Sequence, residues 1–227
     1  MSLREFTLRL YHMPGLRSNR VVWAAAELGI SLEMTEINVM KKEHFAPEYV
    51  QKCPDRYVPM LEITDNTKGE ADKTRVVRIV EATAIIQWLV EMTPDVPLSP
   101  PMTDIKGRAE YQMWMSYVGC TMDSLLWTIR LNTSWALKED ERSVGNENYA
   151  RTKWARDVLP RLTPVLKKNK YILGDKFSAA DVLLWANLDW SLEYDLISEE
   201  ENPDIYKYYT LLRKRKMRQD NYPPFVG

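Results

Sequence analysis

Cysteine is scarce in this chain of 227 residues: only Cys53 and Cys120 are present, far apart and in neither CxxC nor His/Cys spacing. That excludes a disulfide framework and a cysteine-based zinc site, and it predicts a reduced, cytoplasmic compartment and no metal. Long apolar runs are also missing. No stretch reaches eighteen apolar residues and the N-terminus has no apolar core of signal-peptide length, so neither a membrane span nor secretion is expected. An excess of one charge is absent as well, with 31 Lys and Arg against 32 Asp and Glu and a net charge of -1. Nucleic acid and anionic membranes both demand a marked cationic excess, so neither is an expected partner. The basic run Arg213, Lys214, Arg215, Lys216 and Arg218 precedes Asp220 and lies at a helix end, where it reads as a solvated face complementing the macrodipole.

What is present is a 45% hydrophobic content, enough for a sizeable core in one large or two small domains. Phe6, Leu8 and Leu10 alternate with Thr7 and Arg9, which predicts a half-buried strand ending near Tyr11. Met13-Pro14-Gly15 forms a turn. A helix follows from about Ser18 to Leu28, and Gly29 stands where a left-handed cap stops it. A second strand spans roughly Leu32 to Val39, completing a βαβ unit with parallel strands and a right-handed crossover. Pro47 to Val50 is a short helical turn. Met60 to Thr64 and Arg75 to Val80 form an antiparallel hairpin, and Thr83 to Met92 is a helix with Ile85, Trp88 and Leu89 on one stripe. The result is a thioredoxin-like βαβ-ββα module over residues 1–93.

Residues 94–103 hold four prolines and form a linker, because proline continues neither a helix nor a central strand. Residues 104–227 then read as an all-helical bundle. Ser178 and Asp181 make a capping box at the start of the apolar helix Val182 to Trp190. The fold class is therefore α/β plus all-α.

The segment Tyr57-Val58-Pro59-Met60-Leu61, with Glu81 twenty residues on, describes a peptide site. Pro59 cannot donate to a sheet ladder and must stand at a strand start, an edge or a bulge. If its peptide bond is cis, the N–H and C=O of Val58 are left as a short β-edge for an extended peptide, with the charge of Glu81 beside it.

Val58-Pro59-Met60-Leu61, Glu81 before Ala84-Ile85, and Ser178-Ala179-Ala180-Asp181, in this order around a proline-rich linker, resemble the cytosolic glutathione transferase superfamily over nearly the whole chain. His44-Phe45-Ala46-Pro47-Glu48-Tyr49 and Cys53-Pro54-Asp55-Arg56 resemble that family's approach to its cis-proline. The resemblance implies glutathione as co-substrate, a thiol with lowered pKa, a small hydrophobic electrophile, a detoxifying role and a homodimer. Lyase, isomerase or peroxidase chemistry with glutathione, or a non-catalytic glutathione-fold binding protein, are the alternatives.

Carried onto this sequence, the resemblance places the γ-glutamyl ammonium on Glu81 and its carboxylate at the N–H of Ala82, where the family usually has Ser or Thr. Thr83 is adjacent. The cationic side chains for the glycine end are Lys41, Lys42 and His44. The usual hydroxyl of serine-type members falls on Gly15 or Leu16, so Tyr11, Ser18 and Arg17 are the three candidates for stabilising sulfur. The electrophile pocket is expected from Met13 and from a stripe of Trp114, Tyr117, Val118 and Met122, with Met113 alongside.

Overall fold

The computed structural model describes residues 3–72, 74–134 and 136–221. The first two and last six residues of the expected domains lie outside that range. The chain forms two compact units, one holding residues up to Val96 together with the segment from Lys216, the other spanning Pro97–Arg215.

The first unit is built on strand β1 (Phe6–His12), helix α1 (Ser18–Glu27), β2 (Glu33–Glu36), the short α2 (Pro47–Val50), β3 (Met60–Asp65), β4 (Val76–Val80) and α3 (Ala82–Glu91). The strand order is β2-β1-β3-β4. β1 and β2 are parallel, and the other two pairs are antiparallel, with Tyr11 opposite Met60 and Met60 opposite Val80. Alternation along β1 drives Leu8 and Leu10 into the core, where Val21, Trp23 and Ala24 of α1 and Ile85, Ile86 and Leu89 of α3 are also buried. Gly29 takes φ +69, and the N–H groups of Gly29 and Ile30 return to the carbonyls of Ala26 and Ala25, which stops α1 where expected.

β2 is shorter than the expected span of Leu32 to Val39. The N–H of Asn38 turns to the Glu43 carboxylate at 2.6 Å, and the Asn38 side chain accepts from the N–H of Lys41 at 3.0 Å. These local bonds compete with the ladder and end the strand. A further helix, α10 (Lys216–Asn221), packs against α1 and so belongs to this unit, whereas the sequence reading ran the helical domain to the end of the chain.

The second unit contains α4 (Ile105–Ser116), α5 (Asp123–Thr133), α6 (Val144–Lys153), α7 (Leu159–Lys168), α8 (Ala179–Glu193) and α9 (Pro203–Arg213). Two π-helical stretches, Tyr117–Met122 and Trp154–Val158, join α4 to α5 and α6 to α7. Within α8 only Asp189, Leu192 and Glu193 escape burial. At its start the Asp181 carboxylate accepts from the N–H groups of Ser178 and Ile172 and from the hydroxyls of Ser178 and Tyr208, all at 2.7–2.8 Å. Burial pushes this carboxyl up from the usual range, and those four donors oppose the shift by favouring the anion. Among the described residues, no helix is long and apolar enough to cross a membrane.

Candidate active site

The Val58–Pro59 peptide bond is cis, and β3 starts at the next residue. Proline, lacking an N–H, stands at the strand entrance as its chemistry requires. Among the described residues neither the N–H nor the C=O of Val58 has a hydrogen-bond partner, so one donor and one acceptor remain open there. The approach is held from beneath. Tyr49 donates its hydroxyl to the carbonyl of Tyr57, and the Cys53 thiol lies 3.7 Å from the same oxygen. Tyr49, Cys53, Tyr11 and Met60 form a buried cluster flanked by Ile37, Val58 and Val80. Burial, then Cys53 and Tyr11, push the Tyr49 hydroxyl well above the usual tyrosine range, so it remains a donor.

Glu81 lies between β4 and α3 with φ 72 and ψ 114, and its side chain is exposed. For a residue with a Cβ such backbone angles cost on the order of 1–3 kcal/mol, so the surrounding structure must impose them. α3 begins at the next residue, the buried Ala82, with no side chain capping its first N–H groups. A carboxylate thus stands beside the uncapped positive end of a ten-residue helix.

The three candidates for contacting sulfur differ in how far they are already engaged. Tyr11 is 4% exposed. Its hydroxyl accepts from Lys52 Nζ at 2.9 Å and makes a long bond to Glu62 Oε1 at 3.5 Å. Ser18 is 1% exposed, donates to the Met13 carbonyl at 2.6 Å and accepts from the Met13 N–H at 3.1 Å. Its hydroxyl closes the loop onto the helix and has no hydrogen left to give. Arg17, one residue earlier at the N-cap of α1, is half-buried. Among the described residues the N–H of Ser18 has no acceptor.

Two further residues were not site candidates from sequence. Asn19, 1% exposed, accepts the N–H of Gly15 at 3.0 Å, and Gly15 has φ 80. Nothing in the sequence marks a helical Asn for this task. Arg56, with φ 59, stacks its guanidinium over Phe45 at 5.2 Å and acts on His44. Its place directly before Tyr57-Val58-Pro59 was the available signal.

The loop carrying Lys42 and His44 also departs from expectation. Lys42 has φ 60 at the start of a short 3-10 turn, and both Lys41 and Lys42 are exposed. His44 was expected as a cation. Burial first, and the Arg56 charge second, lower its pKa below the ordinary value, so at neutral pH it is an uncharged imidazole.

Most of the expected pocket stripe is buried. Met13 is 7% exposed and its sulfur takes the N–H of Val39 at 3.3 Å. Within the helical unit, Trp114 is 5% exposed and Val118 and Met122 are fully buried, while Asn187 of α8 donates to the Val118 carbonyl at 2.8 Å. Trp114 also has the Arg161 guanidinium 5.3 Å from its ring. Tyr117 alone of the four is partly exposed, with the Arg161 guanidinium 4.5 Å above its ring.

Comparison with known proteins agrees with this geometry. Residues 6–91 match the family description "Glutathione S-transferase, N-terminal domain", and residues 141–216 match "Glutathione S-transferase, C-terminal domain". "Glutathione S-transferase 2" of Saccharomyces cerevisiae is 25% identical over 208 residues, covering 86% of this chain and 80% of the relative. GstA of Escherichia coli O157:H7, also a glutathione S-transferase, is 24% identical over 186 residues, 81% of this chain and 82% of its own. In fold, the chain resembles a glutathione transferase from Burkholderia graminis, solved with two glutathione molecules per subunit, at a TM-score of 0.80 and 18% identity, covering 95% of this chain and 87% of that one. A glutathione transferase from Phanerochaete chrysosporium, solved with oxidized glutathione, gives 0.78 at 22% identity over 96% and 94%. With its two halves matched in the expected order by the two domains of one family, and with a cis-proline at the entrance of β3, the chain belongs to the glutathione S-transferase superfamily.

Proposed function

We propose that this protein is a cytoplasmic, homodimeric enzyme that ionises the thiol of glutathione for attack on small hydrophobic electrophiles. The observation that carries this is the open N–H and C=O of Val58 beside Glu81, whose backbone is held at φ 72. The cysteinyl residue of glutathione pairs with Val58 as an added strand. Glu81 takes the γ-glutamyl ammonium, and the N–H groups of Ala82 and Thr83 take its carboxylate. Lys42 and Arg56 supply charge for the glycine carboxylate, with His44 as a neutral hydrogen-bonding partner.

Sulfur then lies at the start of α1, where the Ser18 N–H and the Arg17 guanidinium favour a thiolate. Ser18 holds the loop through its bonds to Met13, and Tyr11 is engaged with Lys52 and Glu62. A free thiol near pKa 8.5 is only a few per cent ionised at neutral pH, and each unit of lowering is about 1.4 kcal/mol. In the reaction the thiol proton passes to solvent. The thiolate forms a carbon–sulfur bond, and the leaving group departs with its electron pair.

A test is turnover of an aryl halide with glutathione. Arg17→Ala is expected to lower kcat/KM by about tenfold or more, with its pH profile displaced upward. Tyr11→Phe and Ser18→Ala are expected to keep the parent's pH profile. A second reading, a non-catalytic binding protein, is favoured by one observation: both candidate hydroxyls are already committed to protein partners. Glutathione binding without turnover of any electrophile would support it. Sedimentation at twice 26.6 kDa is the expected assembly, and the monomer mass would refute it.

A further inference from the structure

The basic residues near the end of the chain do not behave as one solvated run. Lys216 pairs with Asp220 at 2.9 Å, and Arg215 stacks its guanidinium on Phe177 at 3.7 Å. Arg213 and Lys214 instead line an open groove of about 830 Å³, together with Lys167, Lys168, Lys170 and Lys207. Glu199 and Asp204 are the acidic side chains lining it. Two segments some forty residues apart, the end of α7 and the length of α9, therefore converge to put six cations against two acids. In a protein of net charge -1 this is a marked local concentration.

Helix polarity does not account for it. Lys167, Lys168 and Arg213 stand in last turns, where each helix end contributes roughly half a negative charge. Lys207 is in the first half of α9, and Lys170 lies beyond the end of α7. Among the described residues Lys167, Lys168, Lys207 and Lys214 form no ion pair with a carboxylate, and all four are exposed. Unpaired like charges repel one another, and an anion carrying several charges relieves that repulsion.

We propose that this groove binds a soluble organic polyphosphate. The multiple charge fits the cation cluster. The organic body fits the apolar wall, where Leu211 is 37% exposed and Tyr206 half-buried beside Pro203. A concave site of this volume suits a small molecule, within the range of about 300–1,000 Å³ usual for such ligands. A membrane surface would need a flat or convex face.

The test is calorimetric titration of the full chain with adenosine triphosphate and with inorganic tripolyphosphate, in chelator, at about 50 and about 200 mM salt. Saturable binding of both is expected, tighter for the nucleotide and weakening about tenfold across that salt range. The triple variant Lys167→Glu, Lys207→Glu, Lys214→Glu should lose at least about tenfold in affinity, and Lys106→Glu should lose none. Should the triple variant fail to fold, Lys207→Glu alone should still lose about threefold. No saturable heat with the parent, unchanged affinity in the Lys207 variant, or binding only to phosphatidylcholine vesicles containing phosphatidylinositol bisphosphate would each overturn the proposal.

Discussion

The first unit and the helical unit hold their distinctive residues in opposite ways. In the first, the informative positions are unusual in backbone: the cis bond at Val58–Pro59, and positive φ at Lys42, Arg56 and Glu81. Their open groups are N–H and C=O as much as side chains. In the helical unit the distinctive positions are buried side chains bonded within the unit: the Asp181 carboxylate takes four donors, and Arg130 pairs with Glu193 at 2.7 Å while stacked over Trp190 at 4.2 Å. The first unit leaves backbone groups unbonded at Val58, and at Asp181 the second pairs a buried carboxylate internally. A binding edge made of backbone tolerates change in side chains, which is consistent with Ala82 occupying a position where a hydroxyl is usual.

The largest expected effect tests the closed half of that contrast. Asp181→Ala strands four donors at once, and unfolding should become easier by about 4 kcal/mol, read as a denaturant midpoint with unchanged slope. A loss under about 1 kcal/mol would mean those bonds do not organise the unit. The next tests the open half. Glu81→Gly removes a Cβ from a left-handed backbone and should raise stability by about 1 kcal/mol, while weakening glutathione binding about tenfold or more. Stability and binding falling together would show that Glu81 is merely structural. The smallest concerns the two histidines, His12 and His44, both depressed chiefly by burial. The folded state holds them neutral. Their stabilising contribution is therefore full above the unfolded value of about 6.5 and is lost as pH falls from there toward their lower folded values. Thermal midpoints against pH should show this loss, and His12→Gln with His44→Gln should flatten it.

The sequence made the first unit largely legible because its signals are local. Alternation in β1, Gly29 after α1 and proline before β3 each act within a few residues. Ser178 and Asp181 were readable for the same reason. What escaped depends on where a side chain ends up. A stripe at helical spacing, such as Trp114, Val118 and Met122, has the same pattern whether it lines a pocket or fills a core, and here all three side chains are buried. The Ser18 hydroxyl looked available because its partners, the N–H and C=O of Met13, are backbone groups that no sequence pattern displays. β2 ended early because Asn38 and Glu43 bond locally, a competition that alternation does not register.

In the function proposed above, the Val58–Glu81 edge presents a glutathione thiol to the start of α1 and ionises it there. The most direct measurement is the ultraviolet absorbance of the thiolate of bound glutathione as a function of pH. A thiol titrating about one unit or more below the free value of about 8.5, and returning toward that value in Arg17→Ala, is the predicted result. Bound glutathione titrating at the free value, or no binding at all, would contradict it.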